Sequence, residues 1–387
     1  MINRIKIKDI GEVISGSTPK TNIKEYWNGN NNWITPAELT DKSYLINETE
    51  RKITDLAIEK TSLKKLPKGT VLLTSRAPIG KVAIANTDMY CNQGFKNIVC
   101  NEKIYNKFLY YFLKSKTDYL NSLGKGATFK EISKSIVESI EIPCYSIEEQ
   151  KEIVKKFEKV QKLIDIQENQ IIDLNKSKKA YFTKLFGTPL LNEMKWNVIK
   201  TIECCEKITD GSHFSPKDVF EGYPMLSVKD MRNDGFHYDE CKYVSTEDFE
   251  ILKKQGCVPK KDDVLIAKDG SYFYYGFTVK EDKEEAVLSS IAILRPNINM
   301  VNPEYLCNYM LSNEIVNLVG SNYVTGVALK RVILKGIKDI PIMLPPIEIQ
   351  NKFAKFTKKI DENTKDSEEK IEQLKIIQEG LMNKYFN

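Results

Sequence analysis

The sequence predicts a mixed α+β protein made by internal duplication: two similar α/β domains, each followed by a long helix, with the two helices paired. Three observations predict it. Residues 124–187 align without a gap with residues 324–387, at an offset of 200, and 14 of the 64 positions are identical. Beyond residues 146 and 346 the apolar residues recur in alternating steps of three and four. The segments ahead of those runs carry short β-type runs between turn residues, and they resemble each other only weakly.

The matches between the copies are ordered. Gly126 and Lys130 answer Gly326 and Lys330; Ile140 and Ile142 answer Ile340 and Ile342; Ile147-Glu148-x-Gln150 answers Ile347-Glu348-x-Gln350. Ile171 and Leu174 answer Ile371 and Leu374, and Lys184-x-Phe186 answers Lys384-x-Phe386. Towards the start of each half the likeness fades and the offset falls to about 192, with Lys8-x-Ile10 against Lys200-x-Ile202. A repeat that keeps its backs alike while its fronts diverge suggests a shared scaffold carrying two different readers.

Each back reads as a heptad seam over about five heptads. In the first it includes Ile153, Phe157, Val160, Ile164, Ile171 and Leu174; in the second, Phe353, Ile360, Ile371 and Leu374, with polar residues weakening the middle. Helices of 35–38 residues and roughly 55 Å are expected, at 1.5 Å per residue. Each needs a partner for its stripe; the other copy is the obvious one, and a second chain is the alternative. Ile172, Phe182 and Phe186 read as apolar residues beside the seam, left for a partner to cover.

In the fronts, residues 71–74, 82–85, 264–267 and 274–279 read as strands, and residues 108–113 and 305–311 as short amphipathic helices, the latter started by Pro303-Glu304. The expected organisation is a first domain over 1–145, a helix over 146–187, a second domain over 188–345 and a helix over 346–387.

Composition narrows the function. Of the 387 residues 41% are hydrophobic and 29% charged, the profile of a soluble globular protein. No apolar run approaches the 18 or so residues of a membrane span, and no export signal follows Met1, so the expected location is cytoplasmic. The eight cysteines form no CxxC and read as reduced. The net charge of +5 is uneven: 22 basic and 15 acidic groups in residues 1–145, 19 and 23 in residues 188–345. If the second front meets DNA it needs a local basic face.

Catalytic signatures are missing: no GxxxxGK[ST], GxGxxG, GxSxG or HExxH, and no [DN]PP[FY] of an adenine methyltransferase. With two histidines, His213 and His237, a zinc site or a histidine-based nucleophile is not expected. Asp210, Asp262 and Asp263 read as solvated surface carboxylates, and His213 as a loop hydrogen-bonding or DNA-contacting group. The chain reads as non-catalytic.

At the front-to-helix junctions, residues 142–154 (IPCYSIEEQKEIV) and 344–350 (LPPIEIQ) are similar to a PLPPLxEQ junction. The first copy has lost the Pro-Pro, and the second has Ile349 in place of Glu. Together with Trp33-Ile34-Thr35-Pro36, residues 73–80 (LTSRAPIG), Asn92-Gln93-Gly94-Phe95, residues 210–216 (DGSHFSP) and residues 226–231 (LSVKDM), they resemble the specificity (S) subunit of type I restriction–modification systems over essentially the whole chain. The resemblance implies two target recognition domains, each reading one half of a split, asymmetric sequence in double-stranded DNA. It implies an antiparallel coiled coil that sets the spacing and docks two methyltransferase subunits. S-adenosylmethionine would bind the methyltransferase, and ATP and Mg would bind a restriction subunit if one is present; this chain would hold no cofactor and no metal.

Base edges are read by two-point hydrogen bonding and phosphates by small or cationic groups. The base-reading candidates are Arg76, Asn92, Gln93, Lys229, Lys268, Asn322 and Arg331. Thr74, Ser75, Lys125, Lys130, Lys268, Ser271, Lys330 and Arg331 are expected on phosphates, with Thr35 and His213 as further DNA contacts. A methylation-only complex would use the same chain. A coiled-coil adaptor without DNA readout would leave the divergent fronts unexplained.

Overall fold

A computed structural model describes residues 3–125, 130–270, 272–326 and 330–387. The chain divides into two compact units, one of Met1–Gln167 with Glu369–Asn387, the other Glu168–Glu368. Both boundaries fall inside the long helices, so each unit holds one front, the start of one helix and the end of the other.

The two fronts are one fold. In the first unit the main sheet runs in the order Gly11–Ser15, Lys96–Cys100, Val71–Ser75, Ile79–Ala85, with Leu45–Ile46 at the edge. In the second the order is Cys205–Asp210, Ile291–Pro296, Val264–Ala267, Gly276–Thr278. A small sheet accompanies each: Lys52–Ile53, Trp27–Ile34 and Tyr90–Cys91 in one, Lys242–Val244, Tyr223–Leu226 and Ala286–Val287 in the other. The central strands show why their sequences are continuously apolar. Val71 and Leu73 face one cluster and Leu72 the other; Val264 and Ile266 face one and Leu265 and Ala267 the other. A strand covered on both faces has no polar side to alternate with. The short helices Asn106–Ser115 and Pro303–Met310 cover one face of each sheet, and Asn302 caps the second of them by accepting the N–H groups of Glu304 and Tyr305. In each unit the first strand pairs antiparallel with the strand that leads into the long helix, Arg4–Lys6 with Glu141–Pro143 and Asn197–Lys200 with Pro341–Leu344.

The long helices span Ile147–Phe186 and Ile347–Phe386, 40 residues each, slightly longer than the periodicity suggests and about 60 Å at 1.5 Å per residue. They start differently. Ser146 and Glu149 form a capping box, the Ser146 N–H and hydroxyl donating to Glu149 and the Glu149 N–H to Ser146 Oγ. The second copy uses Pro345-Pro346 there, and the Pro346 carbonyl accepts from Ile349 and Gln350. The first copy thus replaces the lost Pro-Pro with a side-chain cap.

One turn on, both helices carry the same buried glutamine. Gln150 Oε1 accepts from the Tyr105 N–H, and its amide donates to the carbonyls of Lys103 and Tyr145. Gln350 Oε1 accepts from the Asn302 N–H, and its amide donates to Met300 and Pro345. Each glutamine pins its helix to the loop before the front's own helix.

Within each unit the two helix segments run antiparallel. In the first, Phe157 stacks on Phe386 at 5.5 Å and Gln161 meets Gln378 at 3.3 Å. In the second, Lys178 pairs with Asp361 at 3.3 Å and Phe186 packs on Phe353 at 5.5 Å. Ile153, Phe157, Val160, Ile164, Phe353, Ile360 and Ile371 are buried, and Ile171, Leu174 and Leu374 half-buried. Beside the seam the expectation needs correcting. Ile172 is half exposed, but Phe182 and Phe186 are buried in the second front's core against Tyr305. Phe386 does the same in the first front against Phe108 and Phe112. These rings complete a core and are not left for a partner.

Truncating a fully buried phenylalanine costs about 3–5 kcal/mol. Phe186→Ala and Phe386→Ala should each lower unfolding stability by that amount in a urea titration, with the loss confined to the second and first unit respectively when followed by hydrogen exchange. Gln150→Leu strands the Tyr105 N–H and two carbonyls, and should cost about 1–3 kcal/mol; a change below 0.5 kcal/mol would show that the pin is dispensable.

Candidate nucleic-acid interface

The sequence-predicted site residues gather at one end of each main sheet. In the first unit the strands ending at Ser15 and Ser75 and those starting at Ile79 and Lys96 meet there. The chain turns from Arg76 through a cis Ala77–Pro78 bond. The Ser75 carbonyl accepts from Ile132 at 3.0 Å, and Lys125 and Glu131 exchange backbone hydrogen bonds at 3.1 and 3.0 Å. Lys125 and Lys130 are exposed at this edge. Gln93 is exposed and accepts from the Thr18 hydroxyl. Asn92 Oδ1 accepts from the Gly94 N–H, holding the loop. That loop is tight: a Cβ on Gly94 would stand 2.8 Å from Pro36. Thr35 is half-buried in a capping box with Glu38, so its hydroxyl is committed to the fold.

The second unit repeats the arrangement with other side chains. The Lys268 carbonyl accepts from Val332 at 2.9 Å, and Gly270 donates to the Lys330 carbonyl at 2.8 Å. Ser212 donates to Val287 and accepts from Ser289, bringing the residue 211–216 loop to the same end. His213 is largely exposed with Nε2 3.4 Å from Asp210 Oδ2. Lys229 is exposed and donates to the Glu240 carbonyl. Lys330 and Arg331 are exposed, as is Asn322 at the last turn of Asn313–Asn322. Ser271 lies outside the described residues.

Three expected contacts are corrected. Thr74 and Ser75 are fully buried: Thr74 Oγ1 accepts from the Lys81 N–H, and Ser75 Oγ faces Lys96 and Glu131. They belong to a strand buried on both faces, so their hydroxyls do not reach a phosphate. Lys268 is 6% exposed, its ammonium 3.3 Å from Asp210 and 3.5 Å from Asp269, which neutralise it from within the fold. Nor are Asp210 and Asp263 solvated. Asp263 is buried and takes a forked pair of hydrogen bonds from Arg295 at 2.8 and 2.7 Å.

Sequence reading missed Lys96 and Glu131, paired at 3.0 Å, and Asp269, paired with Arg331 at 3.3 Å. The signal was the charge at positions 131 and 331, but it acquires meaning only when a strand end seven residues out of step with the 200 offset is laid beside it. The chemistry of both sheet ends is hydrogen bonding and charge. Burial pushes the Cys91 thiol beneath the first site up to about 12, so it offers no thiolate. Among the described residues no group of three or more His, Cys, Asp or Glu could hold a metal ion, and no helix is long and apolar enough to cross a membrane.

Comparison with known proteins gives the family. The type I restriction modification DNA specificity domain matches twice, over residues 2–176 and 194–375. The MjaIX specificity subunit of Methanocaldococcus jannaschii is 32% identical, covering 98% of this chain and 91% of that relative. The EcoKI specificity subunit of Escherichia coli K12 is 22% identical over 76% of this chain and 68% of its own length. Among solved structures, the S subunit from M. genitalium superposes with a TM-score of 0.57 at 17% identity, covering all of this chain and 96% of that one. A chain from a study of complex assembly and conformational transition of the type I R-M system reaches 0.61, also at 17% identity, covering 99% and 97%. These structures share the fold; the domain matches and the full-length relative show that the protein belongs to the specificity subunits of type I restriction–modification systems, a non-catalytic component.

Proposed function

We propose that this chain is the DNA-recognition subunit of an adenine-methylating complex, each unit reading one half of a bipartite, asymmetric target in double-stranded DNA. The observation that carries the reading is the contrast within the duplication. The two sheet ends keep the same backbone hydrogen bonds, Ile132 to Ser75 and Val332 to Lys268, while the side chains they present differ at nearly every position. Identical frames with different donors and acceptors are what reading two different half-sites requires. The long helices, shared by both units, set the spacer and dock two methyltransferase subunits. Exposed Leu163, Ile166, Ile376 and Ile377 in the first unit and Ile172 in the second provide apolar area for that docking. S-adenosylmethionine belongs to the methyltransferase, and ATP with Mg to a restriction subunit where one joins; this chain binds neither.

The test is modular. Replacing residues 196–340 with the matching segment of a relative, in complex with the methyltransferase, should change one half of the methylated sequence and leave the other. A change in both halves would sink the two-reader account.

The spacer offers a second test. Four residues inserted into each long helix, after Asn175 and after Thr364, three steps either side of the Lys178–Asp361 pair, turn each helix by roughly 400° and so nearly keep the seam. They add about 6 Å, or one to two base pairs at about 3.4 Å per step. The mapped spacer should lengthen by that amount; an unchanged spacer at full activity contradicts the ruler.

A further inference from the structure

The backbones of the two sheet ends correspond, and on them one charged pair is reversed in sign. The hydrogen bonds from Ile132 to Ser75 and from Val332 to Lys268 make Arg76 the counterpart of Asp269 and Glu131 the counterpart of Arg331. Both pairs are in contact: Arg76 Nη1 lies 3.7 Å from Glu131 Oε2, and Arg331 Nε lies 3.3 Å from Asp269 Oδ2. Each unit therefore holds one arginine against one carboxylate at the same place, with the partners exchanged between the two strands that supply them.

The carboxylate is braced from beneath in both units by a lysine that is itself nearly buried. Lys96, with 9% of its side chain exposed, meets Glu131 at 3.0 Å. Lys268, with 8% exposed, meets Asp269 at 3.5 Å and Asp210 at 3.3 Å. The two braces come from different strands, so the arrangement is not a relic of sequence identity. Asp269 Oδ1 is buried without a hydrogen bond, its charge met by the lysine and the arginine. In the second unit the arginine is the outward member, the Arg331 side chain 59% exposed against 8% for Asp269; in the first, Arg76 at 35% and Glu131 at 37% reach solvent together. Among the described residues neither guanidinium donates a hydrogen bond of normal geometry, so each is held by its carboxylate through charge, with its forked donors uncommitted there.

We propose that Arg76 and Arg331 are specificity-determining residues, one in each unit, each reading a guanine through O6 and N7 in the major groove. The proposal rests on the reading of these sheet ends as the DNA-contacting surface. A guanidinium held by a carboxylate on one side keeps a forked pair of N–H donors for a neutral, two-acceptor base edge. In the second unit a phosphate is the poorer ligand, because Asp210 and Asp269 balance Lys268 and Arg331; in the first, Arg76 and Lys96 face Glu131 alone, and the salt dependence of binding separates a base contact from a phosphate contact. Because the arginines arise from opposite strands, the guanines they read need not stand at the same place in the two half-sites.

The test is selection of bound DNA from a random pool by the complex with methyltransferase subunits, for the unaltered chain and for Arg76→Ala, Arg76→Lys, Arg331→Ala and Arg331→Lys. Each alanine variant should lose preference for guanine at one position of its own half-site by roughly 5- to 150-fold, the worth of one bidentate pair. The other half-site should stay unchanged. Each lysine variant keeps the charge but not the fork, and should relax the same position. An unchanged motif, relaxation in the wrong half, or a lysine variant with full guanine preference overturns the proposal. So does weakening that is uniform across sequences with a shallower salt dependence, the mark of a phosphate contact. If the unaltered complex selects no sequence at all, it is the DNA-recognition reading that falls.

Discussion

The structure depends on a crossed closure of its cores. Each front is completed by the last phenylalanine of the helix that began in the other copy: Phe386 seals the first unit against Phe108, Phe112 and Phe157, and Phe186 seals the second against Tyr305 and Phe353. All of these rings are fully buried. A front with only its own helix would leave a hole the size of a benzyl group, so neither half of the sequence makes a complete unit. The repeat of Lys-x-Phe at the helix ends is the sequence trace of this requirement. At the other end of each helix the buried glutamine does the complementary task. It satisfies three backbone groups that would otherwise be stranded, and so fixes the angle at which the helix leaves its front.

Much of this was legible in the sequence because it rests on periodicity and repetition. Every seam position is buried or half-buried, since a step of three and four sets one stripe along a helix. The continuous apolar runs at 71–74 and 264–267 are strands buried on both faces. What was not legible depends on which way a side chain turns. Thr74 and Ser75 look like loop hydroxyls until the strand is seen to continue through them to Ser75. Phe182 and Phe186 lie at the edge of a heptad pattern that cannot say whether a front lies over them. Lys268 and Asp263 are charged residues in apolar surroundings, which composition counts as surface; their burial is possible because Asp210, Asp269 and Arg295 meet their charges.

The site follows the same division. The backbone frame of each sheet end belongs to the scaffold and is kept, down to equivalent hydrogen bonds differing by 0.1 Å. The side chains set on it are free to diverge, because none of the exposed ones is needed for the core. That explains why the similarity between halves is strong in the helices and weak in the fronts. A nearly buried lysine beneath each site, drawn from a different strand in each unit, shows the scaffold tolerating changes in chemistry while keeping an arginine–carboxylate pair at the same place.

The central claim is that the two equivalent sheet ends are the surface that meets DNA. The most direct measurement is hydrogen exchange on the complex with methyltransferase subunits, with and without its methylated target sequence. The account predicts added protection in residues 75–80, 92–96 and 130–132 of one unit and 211–214, 268–270, 288–290 and 330–332 of the other. Protection confined to the long helices, or to one unit with both half-sites present, would contradict it.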